Sequence, residues 1–229
     1  MSAARFAPLQ ARLQALHGQR LDATQWNRLA AVAALDPFLA RARETSLELW
    51  LRGVDGAGDV HHIEAMVREA FLRHVAMVAG WSPKPWQPAV RWVATWPDLA
   101  AALHRRRHGA DHDWIRRIDG LEQQELPPTG HDPLDWWLER WQTLWPPQSG
   151  LHPPLKALIQ LARRTPHGNG ATWDDWWMQR TTLELRFRRH AMEPGALFIH
   201  LWLTALDLYR LRGELCRRRL FPPLVEQAA

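Results

Sequence analysis

The 229-residue sequence predicts an all-α protein of about eight to ten helices. Apolar residues recur three and four positions apart along most of the chain, which is the spacing of one face of a helix. Nowhere do β-branched and aromatic residues alternate over the length of a strand between turn residues. Proline and glycine separate the periodic segments, as expected for turns that join helices.

The first two helices are predicted from a leucine stripe and an N-cap. Leu9, Leu13 and Leu16 are spaced by four and three, so they lie on one face of the first helix. Asp22 is a suitable N-cap for a second helix, whose apolar face begins at Trp26.

The next two helices are separated by a glycine-rich break. Pro37 can occupy the first turn of a helix that we expect to run to residues 47–51, and residues 53–58 contain three glycines that end it. A longer helix is predicted over residues 61–79, where apolar side chains again repeat at three and four. The proline-rich segment 83–88 ends this helix.

A break and restart is predicted in the next part of the chain. A helix should cover residues 89–96, and the Trp-Pro-Asp sequence at 96–98 then favours a new helix start. Leu99 and Leu103 belong to the apolar face of that helix, which should close near Gly109.

Four helices are predicted in the second half. A tryptophan-dense helix covers residues 134–145, and the others cover 154–164, 172–189 and 196–219. Thr172 is the predicted N-cap of the third. Each of the four is followed by proline, glycine or both.

The chain is predicted to form two helical lobes. Residues 110–133 are polar and contain two consecutive prolines and a glycine, so they read as a linker. Residues 1–109 form the predicted N-terminal lobe and residues 134–229 the C-terminal lobe.

Composition places the protein among globular chains of the cytoplasm. The hydrophobic fraction of 46% and charged fraction of 23% are ordinary for a packed domain. No apolar run reaches the roughly 18 residues of a membrane span, so we expect no transmembrane segment, and the N-terminus lacks the pattern of an export signal. A single cysteine excludes an intrachain disulfide.

Nucleotide binding and nucleophilic catalysis find no support in the sequence. It contains no Walker sequence and no G-x-G-x-x-G after a strand. Cys216 precedes arginines 217–219, a setting that could lower the pKa of a thiol. Its helical spacing from Leu211, Leu215 and Leu220 is more often that of a small core residue. We therefore expect no catalytic residue, no cofactor and no small-molecule substrate.

Three histidines raise the question of a metal site. His104, His108 and His112 are spaced by four and would share a face on a continuous helix, as zinc ligands require. Gly109 interrupts that helix, and no second ligand cluster such as H-E-x-x-H is present. We favour a solvated basic helix end and expect no metal.

Arginine provides nearly all of the positive charge, and the net charge is +5. Arginines at helix C-termini complement the helix dipole, which accounts for their position without a ligand. Such runs can also contact the phosphates of nucleic acid, an acidic protein or an anionic lipid surface. The candidate interaction surface comprises Arg105, Arg106, Arg107, Arg186, Arg188, Arg189, Arg217, Arg218 and Arg219.

Residues 6–51 follow a recognisable order, which is an aromatic residue, an arginine-containing amphipathic helix, a short turn and a helix that ends in a leucine-threonine element. Leu47 stands where an aromatic residue is more usual. The order resembles the opening of the C-type subunit of archaeal and bacterial V-type ATPases, a family that includes the d-type subunit of the eukaryotic V0 sector. The residues that fall in this order are Arg12, Leu13, Leu21, Leu29, Leu35, Leu39, Thr45 and Leu49.

Two further segments agree with that family. One is a lobe-forming helix with an Asp-aliphatic-Asn-Leu-Lys element, where alanines here replace the asparagine and lysine. The other is a terminal helix with an acidic residue followed by a Leu-Arg pair. The matching residues are Asp98, Leu99 and Leu103 in the first segment and Asp207, Leu211 and Arg212 in the second.

The resemblance implies a shortened, divergent member of the family, with about two pseudo-repeated lobes where the family builds about three. It further implies a non-catalytic protein that couples the central stalk of a rotary ATPase to the membrane rotor ring during proton or sodium transport. Such a protein would lie on the cytoplasmic face of the inner membrane. The arginine runs leave one alternative, a basic helical nucleic-acid-binding or regulatory interaction module.

Overall fold

The computed structural model describes residues 6–108, 125–147 and 173–223. Within these ranges the chain forms nine α-helices, three short 3-10 helices and no β-strand, so the prediction of an all-α protein is confirmed. The α-helices are α1 (Ala7–Gly18), α2 (Ala23–Ala30), α3 (Leu35–Arg43), α4 (Val60–Trp81), α5 (Gln87–Trp92), α6 (Trp96–His108), α7 (Pro133–Thr143), α8 (Trp173–Arg189) and α9 (Pro194–Leu220).

The predicted N-cap of α2 is confirmed. The backbone N–H of Gln25 donates to Asp22 Oδ1 at 2.8 Å, and the backbone N–H of Asp22 donates to Gln25 Oε1 at 2.9 Å. This reciprocal pair is a capping box, and it satisfies two backbone donors that the helix start would otherwise leave free.

Helix α3 is shorter than the sequence predicts, because it ends at Arg43 and a 3-10 helix, Ser46–Trp50, follows. Thr45 accounts for the early end. Its hydroxyl donates to the carbonyl oxygen of Ala42 at 2.7 Å and accepts from the backbone N–H of Leu47 at 3.2 Å. A threonine that bonds the local backbone in this way offers it an alternative to the helical pattern.

The predicted breaks in the middle of the chain are confirmed. Residues 51–59 separate α3 and its 3-10 extension from α4, and Gly53 adopts a φ of 82°, which favours glycine. The helix predicted over residues 89–96 is α5, which starts two residues earlier and ends four residues earlier than predicted, at Trp92. A 3-10 turn follows at Val93–Thr95, and α6 starts at Trp96 as predicted.

In the second half, α7, α8 and α9 lie where helices are predicted. Asp132 caps α7, since its Oδ1 accepts from the backbone N–H groups of Leu134 and Asp135, both at 2.9 Å. The predicted helix 154–164 and the predicted cap Thr172 lie outside the described residues.

The chain divides into two compact units, and each draws on separate parts of the sequence. Unit 1 comprises Met1–Gln14 and Val75–Leu206, and unit 2 comprises Ala15–His74 and Asp207–Ala229. The predicted lobes, 1–109 and 134–229, stay a prediction, and most of their linker lies outside the described residues.

Tryptophans form much of the core of unit 1. Trp86, Trp137 and Trp141 are buried. The indole N–H of Trp137 donates to Thr95 Oγ1 at 2.9 Å, and that of Trp141 donates to the carbonyl oxygen of Ala89 at 3.2 Å. The rings of Trp137 and Trp141 stack with centroids 6.0 Å apart. These residues therefore join α5 and α7 through both apolar area and hydrogen bonds.

Unit 2 has a core of its own, to which α2, α3, α4 and α9 all contribute. Its buried apolar side chains include Trp26, Phe38, Ile63, Leu211 and Leu215. Each of the helices α4 and α9 is divided between the units, because its residues belong in part to unit 1 and in part to unit 2.

None of the helices in the described ranges combines the length and the apolar character that a membrane span requires.

Candidate interaction surface

The nine predicted arginines lie on three helices in two units. Arg105–Arg107 are in α6 and Arg186–Arg189 are at the end of α8, both in unit 1, whereas Arg217–Arg219 end α9 in unit 2. In α6, Arg106 is exposed and its guanidinium donates to the carbonyl oxygen of Pro127. The three runs are thus separate candidates, each to be judged within its own unit.

The outward face of helix α8 carries two exposed apolar residues and is basic at its end. Met178 and Leu185 are 67% and 49% exposed, and a spacing of seven residues puts them on the same side of the helix. Arg188 and Arg189 follow and are exposed, while Arg186 is half-buried. We call Met178, Leu185, Arg188 and Arg189 the α8 face.

Arg218 requires a correction, because it is not a surface residue. It is 1% exposed and is among the largest fully buried side chains in the described part of the protein. The sequence places it between two exposed arginines, but consecutive residues on a helix point about 100° apart, and this one points into unit 2.

The Arg218 guanidinium is held by one carboxylate and by the end of α2. Its Nη1 donates to Glu214 Oε2 at 2.6 Å, and its Nε donates to the carbonyl oxygen of Val32 at 2.8 Å. Its Nη2 donates to the carbonyl oxygens of Ala30 and Leu29 at 3.1 and 3.4 Å. The side chain therefore caps the C-terminus of α2, where carbonyl groups lack helical partners and the helix dipole is negative.

Burial lowers the pKa of Arg218, while the hydrogen bond and charge of Glu214 act in the opposite direction. An arginine remains charged in proteins at physiological pH, so this residue and Glu214 form a buried ion pair. The guanidinium carbon also lies 4.0 Å from the centroid of the Phe38 ring, so α3 contacts the same group.

A second set of inward-pointing charges lies one to three turns earlier on α9. Asp207 forms an ion pair with Arg20 at 2.7 Å, and both side chains are largely buried. Arg210 is buried with its guanidinium carbon 4.7 Å from the ring centroid of Trp26. These contacts join α9 to the segment around α2 by charge as well as by packing.

The opposite side of α9 and the residue that follows its C-terminal end are exposed. Tyr209, Leu220 and Phe221 are 62%, 58% and 74% exposed, and Arg217 and Arg219 are exposed between them. Sequence reasoning singled out the two arginines but missed the three apolar residues. The available signal was a Leu-Phe pair that directly follows an arginine run and precedes two prolines, which cannot continue the helix.

Cys216 is not an activated thiol. Burial raises its pKa, the charge of Arg212 opposes this, and Glu64 adds to it. A thiol with a raised pKa is largely protonated and poorly nucleophilic near neutral pH.

The predicted histidine set lies only partly within the described residues. His104 is half-buried on α6, the side chain of His108 is outside the described set, and His112 lies outside the described residues altogether. No group of three or more His, Cys, Asp or Glu residues in ranges 6–108, 125–147 and 173–223 could hold a metal ion.

No protein-family model, curated protein or solved structure matches the chain.

Proposed function

We propose that this chain is a non-catalytic protein, similar to the C-type subunit of V-type ATPases, that couples the central stalk of a rotary ATPase to its membrane rotor ring. One observation carries the proposal. Residues 15–51 of the first segment that resembles the family and the matching residues 207–212 of the last belong to unit 2, and they are joined there, because Arg20 forms a 2.7 Å ion pair with Asp207.

The character of the matching positions also supports the proposal. Most of the leucines in the resemblance are core residues, so the shared order is a pattern of helix packing. Thr45 has a structural role as well, since it ends α3. The buried leucines are Leu13, Leu21, Leu29, Leu35, Leu39, Leu99 and Leu211.

A coupling role is mechanical and requires parts that do not yield under load. The buried pair of Arg218 and Glu214, bonded to the end of α2, provides such a connection inside unit 2. Breaking a pair of this kind is costly, so α9 and α2 should move together. The role also requires exposed contacts for partners, and the α8 face and the outward side of α9 are candidates.

The decisive experiment compares inner-membrane vesicles from cells with and without the chain. In its absence we expect ATP hydrolysis by the rotary ATPase to persist and ATP-driven ion uptake to fall at least about tenfold, because torque no longer reaches the ring. Re-expression of the wild-type chain is the control and should restore uptake. Unchanged uptake without the chain would refute the coupling role.

Co-purification tests the same proposal by a second route. A tagged chain extracted from native membranes in mild detergent should retain proteins of the stalk or of the rotor ring. Recovery of neither would count against the proposal. The alternative of nucleic-acid binding has its own signature, which is affinity for duplex DNA or RNA that falls steeply with salt.

A further inference from the structure

The last turns of α9 place both of their carboxylates on one side. The carboxylates point inward, where Asp207 pairs with Arg20 and Glu214 pairs with Arg218. The outward side carries arginines together with apolar residues. We call this side, together with the exposed Phe221 that follows the end of the helix, the α9 face, and it consists of Tyr209, Arg212, Arg217, Arg219, Leu220 and Phe221.

Two of the three apolar residues of the α9 face lie on one line along the helix, and the third, Phe221, lies at its end. Tyr209 and Leu220 are eleven residues apart, about three turns, and therefore lie along one line roughly 16 Å long. The half-buried Gly213 and Cys216 lie on the same line between them. The backbone N–H of Phe221 bonds the carbonyl oxygen of Arg217 at 2.9 Å, so Phe221 keeps helical phase and points about 100° away from Leu220. It follows Glu214 by seven residues and so points to the same side as that carboxylate, but at the end of the helix it is 74% exposed.

The arginines of the α9 face bracket this row. Arg212 and Arg219 fall on one side of it and Arg217 on the other. Their local partners leave positive charge available. Arg217 is 3.5 Å from Glu214, which is already bound to Arg218. Within the described part of the chain, Arg219 makes long bonds, at 3.4 Å, to backbone carbonyl oxygens. Arg212 is the exception, because it pairs with Glu64 of α4.

We propose that the α9 face binds the surface of an anionic lipid membrane. Tyrosine, leucine and phenylalanine side chains can enter the boundary between headgroups and acyl chains, while arginines on both sides extend to the lipid phosphates. Each arginine near such a surface adds electrostatic attraction. This inference does not rest on the coupling role and is tested without any other protein of a rotary ATPase.

The geometry favours a membrane over a partner helix. A helix bound in a groove recognises a single row of side chains spaced by three and four. The α9 face adds Phe221, the most exposed of its apolar side chains, in a second direction. A lipid interface imposes no such shape requirement and can accept both directions. The absence of an outward carboxylate between residues 208 and 221 adds charge complementarity to anionic headgroups.

The test is co-sedimentation of the full chain with vesicles. We expect binding to phosphatidylcholine–phosphatidylglycerol vesicles and at least about tenfold weaker binding to phosphatidylcholine alone, because the arginines lose their counter-charges. Leu220→Ser with Phe221→Ser should weaken binding to the mixed vesicles by about tenfold or more. Arg217→Gln with Arg219→Gln should do the same and should reduce the salt dependence.

The α8 face provides matched controls, since it also has two exposed apolar residues and two exposed arginines. Met178→Ser with Leu185→Ser, and Arg188→Gln with Arg189→Gln, should leave vesicle binding within about twofold of wild type. All substituted positions are exposed, and circular dichroism establishes that each variant is folded.

A probe at residue 221 reports insertion directly. In a Cys216→Ser background, Phe221→Cys labelled with nitrobenzoxadiazole should show brighter, blue-shifted emission on mixed vesicles. Met178→Cys with the same label should not change.

Three results would overturn the proposal. They are no binding to mixed vesicles, full binding after the α9 substitutions, and loss of binding only after the α8 substitutions. Binding to polyglutamate or to duplex DNA in place of vesicles would instead assign the α9 face to an acidic protein or to nucleic acid.

Discussion

Arg218 is a charged side chain in a buried position, and its contribution to the free energy of unfolding depends on every one of its partners. Substitution by leucine leaves Glu214 buried without its cation and leaves the end of α2 without its cap. Loss of one member of a buried ion pair costs about 3–5 kcal/mol. We expect Arg218→Leu to lower the free energy of unfolding by that amount in urea denaturation monitored by circular dichroism.

Two further variants distinguish burial from charge. Arg219→Leu, one residue along but exposed, should change the free energy of unfolding by no more than about 0.5 kcal/mol. Replacing both Arg218 and Glu214 by leucine should recover part of the loss, because no unpaired charge then remains buried. An Arg218→Leu protein as stable as wild type would mean that solvent reaches this pair.

His74 makes stability depend on pH. It is buried in α4 with its ring centroid 4.9 Å from that of Trp50, and burial, assisted by the charge of Arg20, lowers its pKa to about 4. The unfolded chain has the ordinary value of 6.5 and therefore binds more protons between pH 6.5 and 4. The contribution of His74 to the free energy of unfolding should therefore be nearly constant above pH 6.5. It should fall as the pH drops below that value, by about 2 kcal/mol at pH 5 relative to pH 7.

The measurement is urea denaturation of wild type and His74→Gln at pH 7 and pH 5. The difference between the two proteins should shrink or reverse at pH 5, because glutamine does not titrate. His61→Gln, at an exposed position of the same helix, is the control and should keep the wild-type dependence. An identical pH dependence in wild type and His74→Gln would show that other groups cause it.

At the scale of elements, helix positions followed from the sequence because they depend on local signals. Asp22 is predicted as an N-cap, and the structure confirms it. The glycines and prolines end helices where the sequence predicts. The end of α3 was missed, since a threonine that bonds both Ala42 and Leu47 competes with an otherwise unbroken apolar pattern.

The faces of those helices were harder to predict than their ends. Arg217, Arg218 and Arg219 are chemically identical in the sequence, yet only the middle one is buried. What separates them is the end of α2, nearly 190 residues away along the chain, whose carbonyl groups need a donor. Exposure of Leu220 and Phe221 likewise depends on which neighbours cover them, so the arginine positions were predicted and the apolar part of the face was not.

At the scale of the whole molecule, the chain passes between the two units within continuous helices. Unit 2 begins again after Leu206 in the middle of α9, and α4 changes unit after His74. Unfolding one unit alone would cut both helices in mid-span and leave backbone groups without partners. We therefore expect one cooperative transition in urea.

The tryptophans allow this to be tested. Trp26 and Trp50 are the two tryptophans of unit 2, and the other thirteen of the fifteen fall within the sequence of unit 1, so intrinsic fluorescence reports mainly on unit 1. Arg218→Leu lies in unit 2 and should nevertheless lower the urea midpoint seen by fluorescence as much as the midpoint seen by a label at residue 221. If the label alone shifts, the units unfold independently, and the shared helices do not couple them.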